Sequence, residues 1–500
     1  MNKFVQQLAK EANYTTTLNG AVTHASAGDA CLDLFSTAGA LRRQSEYEQI
    51  RRFARAYAEN RELAMKLLFH IRDIREGLGE RQLFRTLIRY TAKRWPESAK
   101  KNVALIAEYG RWDDLMCLMG TKAEKEVVRC IREQLEKDMA ALSRRLMGDA
   151  KARISLMAKW LPSINTSSAR TRGQARVLCR ALGMNEQTYR RMLSALRRHS
   201  GIVERSLTQK KLSDVRYEHV PGQAMLKYRS AFAKRDGRRY GTYLRDVADG
   251  RRTMHAGTLY PYEILRPYFE THGWGAYAKH VAGEKTLEAL WSSLPNDVEQ
   301  ENAISVIDTS GSMYCFGAFP AMVSQALGIY HAERCKGPFH GKFITFSERP
   351  HLESIRGETL KDKLFYLSRA DWGESTNMEA VFDLILRTAI ACGAGQDEMP
   401  ATLYIISDME FNQAVRNPNE TVYESAKKEF EANGYRLPTV VFHNVNSWQM
   451  QAPVTAHTLG TALVSGAGTK SFRRKFNGNS TPMSHMLEVL GSERYAAVHA

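Results

Sequence analysis

Paired cysteines are missing from this chain. Seven cysteines (31, 117, 130, 179, 315, 335 and 392) are scattered through 500 residues, and none forms a C-x-x-C spacing. An odd, dispersed set excludes a disulfide scaffold and a zinc knuckle, and it points to a reducing, cytoplasmic setting. Long apolar runs are also lacking: no stretch of about 18 apolar residues occurs, the length that crossing a bilayer requires. The uncharged run from Leu437 to Thr469 comes nearest, but Asn444, Asn446, Gln449, Gln451 and His457 interrupt it. The opening MNKFVQQLAKEANYTTT has no apolar core of signal-peptide length. Neither a membrane span nor export is expected. None of the 14 histidines forms H-x-x-x-H or a Cys/His zinc spacing. Acidic pairs suited to two-metal nuclease chemistry are absent. What is present is ordinary soluble composition, 43% hydrophobic and 25% charged, in a chain too long for one core, so two or three domains are expected.

Negative charge is scarce in one segment. The formal net charge is +17, yet residues 301–500 hold 18 Lys+Arg against 21 Asp+Glu. Within the first 300 residues, positions 143–252 alone carry 26 basic and 8 acidic residues. Such concentration reads as an electrostatic footprint for a polyanion, against the bland alternative of solvated helix faces.

Two patterns divide the chain. From about Ser45 to Leu290, apolar residues recur at helical spacing, as in Ile50, Phe53, Tyr57 and then Leu63, Leu67, Leu68, Ile71. NEQTYRRMLSALRRHSG is predicted to be a helix with Asn185 as N-cap and Gly201 at its C-terminal end. Serial helix pairs suggest an α-solenoid resembling HEAT repeats, although no fixed period repeats. After LPNDVEQEN, short β-branched runs (AISVID, GKFITF, ATLYIIS, PTVVFHNV) alternate with helical stretches. That alternation predicts a doubly wound α/β domain. The expected division is therefore an all-α region over 1–295 and an α/β domain over 296–500.

In a parallel sheet of this kind, ligands gather at the carboxyl ends of the strands near the switch point. Asp308 ends the first predicted strand and Asp408 ends TLYIISD, so both should face one crevice. VIDTSGSM then has three readings. As a metal site, Asp308, Ser310 and Ser312 offer a carboxylate and two hydroxyls on one turn, with Thr376 and Asp408 added from GESTNM and ISDME; hard Mg²⁺, or another divalent cation, suits such oxygens. As an enzyme motif it is poor. Serine at 310 removes the second carboxylate of a D-x-D phosphotransferase, and Ser312 replaces the second glycine of a G-x-S-x-G elbow. As a bare turn, Asp, Ser and Gly are the usual residues.

Those five residues resemble the metal-ion-dependent adhesion site of von Willebrand factor A (Rossmann-like) domains, all five positions matching. The resemblance implies Mg²⁺ held by the serines and threonine, with the aspartates assisting and a partner's acidic group able to complete the coordination. A helical region followed by such a domain resembles the Ro/TROVE proteins, whose helical repeats close into a ring and bind RNA. More closely, the chain resembles a less characterised family of bacteria, phages, viruses and plants with the same layout. The stretches that carry this are LLFHIRDIREGLGERQLFR, YRRMLSALRRHSGIVERSLTQKKLSDVRYEHVPGQAMLKYRSAF, GTLYPYEI, VIDTSGSM and PVTAHTLGTALVSG.

The resemblance implies a non-enzymatic RNA-binding scaffold whose partners are small noncoding or misfolded RNA and a protein presenting an acidic side chain. The alternative is a metal-dependent adaptor without physiological RNA. Candidate RNA contacts are Arg170, Arg172, Arg176, Arg180, Arg190, Arg191, Arg197, Arg198, Lys210 and Lys211. Arg172, Arg176 and Arg180 recur every four residues, while Arg190 and Arg197, like Arg191 and Arg198, stand seven apart, spacings that share a helical face. Guanidinium forks match phosphate oxygens. Two further stretches stay open. SGAGTKS (465–471) resembles a phosphate loop but has Thr469 where glycine is required, which favours an ordinary loop. REGLGER (75–81) has glycines and charges able to touch phosphate, yet a helix-to-helix turn is the simpler reading.

Overall fold

The computed structural model describes residues 4, 8, 11–272, 275–279, 281–300, 302–369, 376–414 and 416–500. A short antiparallel hairpin, β1 (Tyr14–Thr16) with β2 (Val22–His24), opens the described chain. Helices α1 (Ala30–Leu41), α2 (Glu46–Glu59), α3 (Arg61–Arg72) and α4 (Arg81–Arg94) follow, each packed on the next. Then come α5 (Glu124–Leu146), the single turn α6 (Met157–Trp160), α7 (Ala169–Leu182), α8 (Glu186–His199) and α9 (Val203–Thr208). The helical region closes with α10 (Gly222–Arg235), α11 (Gly237–Ala248) and, beyond a small β3 (Phe269–His272) to β4 (Gly275–Ala278) hairpin, α12 (Glu284–Ser292).

Local chemistry accounts for the ends of α8. The Asn185 side chain accepts the Thr188 amide at 2.8 Å, satisfying a first-turn donor, and Gly201 beyond the last turn takes a left-handed φ of 68°. Tyr189, Leu193 and Leu196 form the buried stripe of this helix.

The second half is a six-stranded sheet. Its strands are β5 (Ala303–Ile307), β6 (Lys342–Thr345), β7 (Leu352–Ser354), β8 (Thr402–Ser407), β9 (Thr439–Asn444) and β10 (Thr461–Ser465), in spatial order β10-β9-β8-β5-β6-β7. All neighbours pair in parallel except β6 with β7. Helices α13 (Cys315–Arg334), α14 (Met378–Cys392) and α15 (Val422–Ala432) make the crossovers. The chain runs outward from β5 to β6 and then returns to β8 on the other side of β5, so the switch point lies between β5 and β8. The helical first half and doubly wound α/β second half expected from the sequence are therefore present. The uncharged run 437–469 supplies β9 and β10.

Alternate residues of the sheet face different cores. One core runs from Ala21 through Leu196 into Ile304, Val306, Leu403, Ile405 and Phe442; the other runs from Val203 through Val298 into Ala303, Ile307, Tyr404, Ile406 and Val441. The helical residues before about position 200 thus share a core with one face, and those after it share a core with the other. Helix α1 is buried on nearly every side, as its apolar composition requires. It passes so close to the turn after β10 that a Cβ on Gly39 would lie 2.7 Å from the Gly466 Cα, while the Gly39 amide donates to Ser465 Oγ at 2.9 Å.

The far end of the chain returns to the first helices. After α16 (Pro482–Leu490), Arg494 donates from Nε and Nη2 to the two oxygens of buried Asp73 at 2.8 and 3.0 Å. Tyr495 adds its hydroxyl to the same carboxylate at 3.3 Å. Among the described residues, no helix is long and apolar enough to cross a membrane.

Two outcomes are expected from this packing. Arg494→Ala leaves Asp73 charged, buried and short of its main partner, and should cost about 3 kcal/mol in urea unfolding. Four buried histidines are held neutral by desolvation: His70 and His443 pushed down to about 4, His331 and His485 to about 3. Asp73 and Arg474 also face His70, and Arg474 and His70 face His485. Because the unfolded chain takes up protons on these rings below about pH 6.5 and the native chain does not, stability present at pH 7 is lost as pH falls toward 4. The loss should be on the order of 1–3 kcal/mol per histidine. Unfolding free energies at pH 7.5, 6 and 5 check this, and a flat profile contradicts it.

Candidate functional site

The switch point places Asp308 directly after β5 and Asp408 directly after β8, whose ends pair as Ile307 with Ile406. Asp308 is fixed on both oxygens: the Ser310 amide donates to Oδ1 at 2.9 Å and the Ser407 hydroxyl to Oδ2 at 2.5 Å. Its own turn then brings the Ser310 and Ser312 hydroxyls to 3.2 Å from each other, just before α13 begins. Across the crevice, Asp408 Oδ1 accepts the Glu410 amide at 3.2 Å, whereas its Oδ2 is buried without a hydrogen-bond partner. Between them Met409 takes φ of 67°, a left-handed backbone that a methionine adopts at a cost.

Both carboxylates are fully buried. Burial raises the pKa of Asp308, and it pushes Asp408 up to about 8, with the neighbouring Asp308 charge adding to the rise and the Ser312 hydroxyl opposing it. Two buried carboxylates facing each other call for a cation between them or a proton on one. The orphaned Oδ2 of Asp408, the two serine hydroxyls and the hard oxygen character of the set fit a divalent cation such as Mg²⁺. Asp308, Ser310, Ser312 and Asp408 would hold it. It would supply a positive centre for an outside carboxylate or phosphate oxygen. Among the described residues no group of three or more His, Cys, Asp or Glu could hold a metal, so hydroxyl oxygens are needed here.

Thr376 lies beside the turn that follows Asp408, with its hydroxyl engaged. It lies within donating distance of the Glu410 carbonyl (2.8 Å) and Asn412 Oδ1 (2.9 Å), and it accepts from Asn19 Nδ2 at 3.2 Å. Residues 373–375 of GESTNM lie outside the described residues. Three contributors were not singled out in the sequence. Ser407 precedes Asp408 in SDME and was within reach of a pattern search. Glu410 accepts the Leu18 amide at 2.9 Å, and Asn19 donates to the Glu410 carbonyl at 2.7 Å. These ties come from a segment almost 400 residues away, which no local pattern reveals.

The basic segment divides by surface. Arg190, Arg191 and Arg198 project from the exposed side of α8, and Arg170, Arg176 and Arg180 from that of α7. Arg176 pairs with Glu186 at 3.0 Å. Arg172 turns to the carbonyls of Thr166 and Ser167 at 2.6 and 2.9 Å. Arg197 points inward, donating to the Ala158 carbonyl, Ser163 Oγ and the Leu161 carbonyl at 2.7, 2.8 and 3.0 Å. It holds the end of α6 and does not share the outer surface with Arg190, although the spacing places both near one helical face, because the carbonyls of Ala158 and Leu161 capture its side chain. Lys210 and Lys211 are exposed after α9, Lys210 with φ of 56°.

Asp408→Asn removes a buried carboxyl that, without a cation, must hold a proton beside Asp308. Its melting temperature in EDTA should rise by a few degrees, and the rise that Mg²⁺ produces in the unaltered protein should vanish. Equal Mg²⁺ responses by thermal shift and titration calorimetry would remove the cation from the crevice.

Four likenesses to known proteins stand beside this geometry. The pattern of a family described as "Domain of unknown function (DUF7788)" matches residues 302–484. The uncharacterized protein L728 of Acanthamoeba polyphaga mimivirus is 29% identical over 96% of this chain and 87% of its own. The crystal structure of the Deinococcus radiodurans Ro (RSR) protein aligns over 93% of both chains with a TM-score of 0.40 and 14% identity. The pattern of a second family, "Domain of unknown function (DUF2828)", matches residues 17–131 and 123–304, more than half of the molecule. The chain belongs to that DUF2828 family.

Proposed function

We propose that the protein is a non-enzymatic RNA-binding scaffold. In this reading the surface of α7 to α11 grips RNA, and the α/β half is a von Willebrand factor A-like domain whose crevice holds Mg²⁺ and takes an acidic side chain of a protein partner. The observation that carries it is uncompensated charge. Between residues 143 and 252, six of the eight carboxylates are spent on a few basic neighbours, such as Arg176 with Glu186, Arg239 with Asp236, and Arg251 and Arg252 with Asp246. Exposed Arg170, Arg180, Arg190, Arg191, Arg198, Lys210 and Lys211 form no ion pair among the described residues.

A cleft of about 560 Å³ is bordered by Arg216, Arg238, Arg239 and Arg252 and by Glu218, Asp236 and Asp246; Arg239 and Arg252 are ion-paired with these acids, while Arg216 and Arg238 form no ion pair among the described residues. Guanidinium groups kept in water by the fold are available to phosphates, and each phosphate neutralised releases condensed counterion. Shape or single-strand recognition fits a surface with no aromatic ribonucleoprotein motif. Seven free thiols suit a reducing cytoplasm.

The second reading, a metal-dependent adaptor, rests on the Asp308/Asp408 crevice alone. Nucleic acid that co-purifies at low salt and is lost at high salt favours the scaffold, and its absence favours the adaptor. Charge reversal at Arg190, Arg191 and Arg198, with Arg197 left in place, should weaken binding of single-stranded RNA at least tenfold at about 0.1 M salt and reduce the salt slope by roughly 2. Circular dichroism should be unchanged. Undiminished RNA affinity in the folded triple variant overturns the proposal.

A further inference from the structure

The two glycine-bearing stretches that the sequence left open are brought together by the fold. REGLGER forms the turn between α3 and α4, and SGAGTKS spans the end of β10 and the turn after it. A Cβ on Gly466 would lie 3.0 Å from Leu78 Cδ2, and one on Gly468 would lie 3.9 Å from the Gly77 carbonyl oxygen. Between them and the start of the C-terminal tail opens a cavity of about 500 Å³, and its lining includes Lys470, Ser471, Arg474, Lys475 and His485.

Two residues of this lining each hold a buried polar atom without a hydrogen-bond partner, Ser471 Oγ and His485 Nδ1. Their side chains are 7% and 4% exposed, so water in bulk does not serve them. Five basic side chains line the cavity, Lys470, Arg473, Arg474, Lys475 and Arg494, the last held by Asp73 and Glu108. Arg474 stands beside His485 and helps burial to keep that ring neutral, and a neutral imidazole can still donate one N–H. Three carboxylates also border the cavity. Glu76 is taken by Arg473 at 3.1 Å, Glu488 is ion-paired with Arg474, and Glu493 lies on the rim. Lys470 and Arg473 are shared with Asp297 at 3.3 and 2.5 Å, while Lys475 is exposed and forms no ion pair among the described residues.

We propose that this cavity binds a small phosphorylated molecule, of the size of a mononucleotide or less, with its phosphate held by Ser471, His485 and Lys475. Hydroxyl and imidazole donors beside cationic side chains complement phosphate oxygens, which only accept. The volume suits a small ligand in place of a strand of nucleic acid. Because one wall belongs to the α3–α4 turn and the other to the α/β half, a bound ligand would link the two and stabilise the native chain by mass action. This site is separate from the Asp308 crevice and from the α7–α11 surface.

The test uses the full chain in EDTA, with inorganic pyrophosphate and adenosine monophosphate as probes in titration calorimetry and thermal unfolding. At least one probe should bind with a stoichiometry of one and raise the melting temperature. Ser471→Ala combined with Lys475→Glu should weaken that binding at least tenfold without lowering the melting temperature of the free protein, since one group has no partner and the other is exposed. The Arg190, Arg191 and Arg198 triple variant should bind the probe as the unaltered protein does. Absence of binding by both probes, undiminished binding in the Ser471/Lys475 variant, or loss of binding in the arginine variant would each overturn the proposal.

Discussion

The Asp73 carboxylate is the point on which the closed arrangement of the chain depends. Its oxygens accept from the Arg494 fork, the Tyr495 hydroxyl and the Arg75 amide. A buried carboxylate so surrounded is costly to desolvate and costlier to strip of one partner, so it ties the tail to the turn after α3. Further contacts reinforce the tie: Asn102 donates from its side chain to the His499 carbonyl at 2.5 Å, and the His499 amide donates back to Asn102 at 3.2 Å. Chain beginning and chain end thereby pack on one another, and the cavity beside SGAGTKS exists because they do.

The same logic of buried charge separates the other two regions. At Asp308 and Asp408 the fold buries two carboxylates together and leaves one oxygen without a partner. Around α7 to α11 it does the opposite, leaving cations in water with few acids near them. The first arrangement stores a demand for positive charge and the second offers it.

Legibility in the sequence followed the range of the interactions. AISVID and ATLYIIS were readable as strands because buried parallel strands are short β-branched runs, and Asp308 and Asp408 were placed correctly because strand ends determine where such residues emerge. Asn185 was readable as a cap because capping acts over three residues. Arg197 was not, since the carbonyls of Ala158 and Leu161 that turn it inward lie almost 40 residues earlier. Helix α1 was also hidden: its apolar, nearly aperiodic composition signals burial but not the partner, which is the β10 side of a sheet formed 400 residues later. REGLGER is the helix-to-helix turn its glycines suggested and SGAGTKS an ordinary turn after β10; that the two lie side by side was not readable, because nearly 400 residues separate them.

By itself the sequence determined the helical and α/β halves, the oxygen-rich turn at the end of β5 and the position of the charge excess. These depend on periodicity, capping and composition, all local in the chain. Only the tertiary structure decided which arginines remain in water, that the N-terminal Asn19 reaches Thr376, and that two distant glycine turns share one cavity. Those outcomes depend on which surfaces the sheet's two faces and the returning tail bury, and burial is a property of the whole packed molecule.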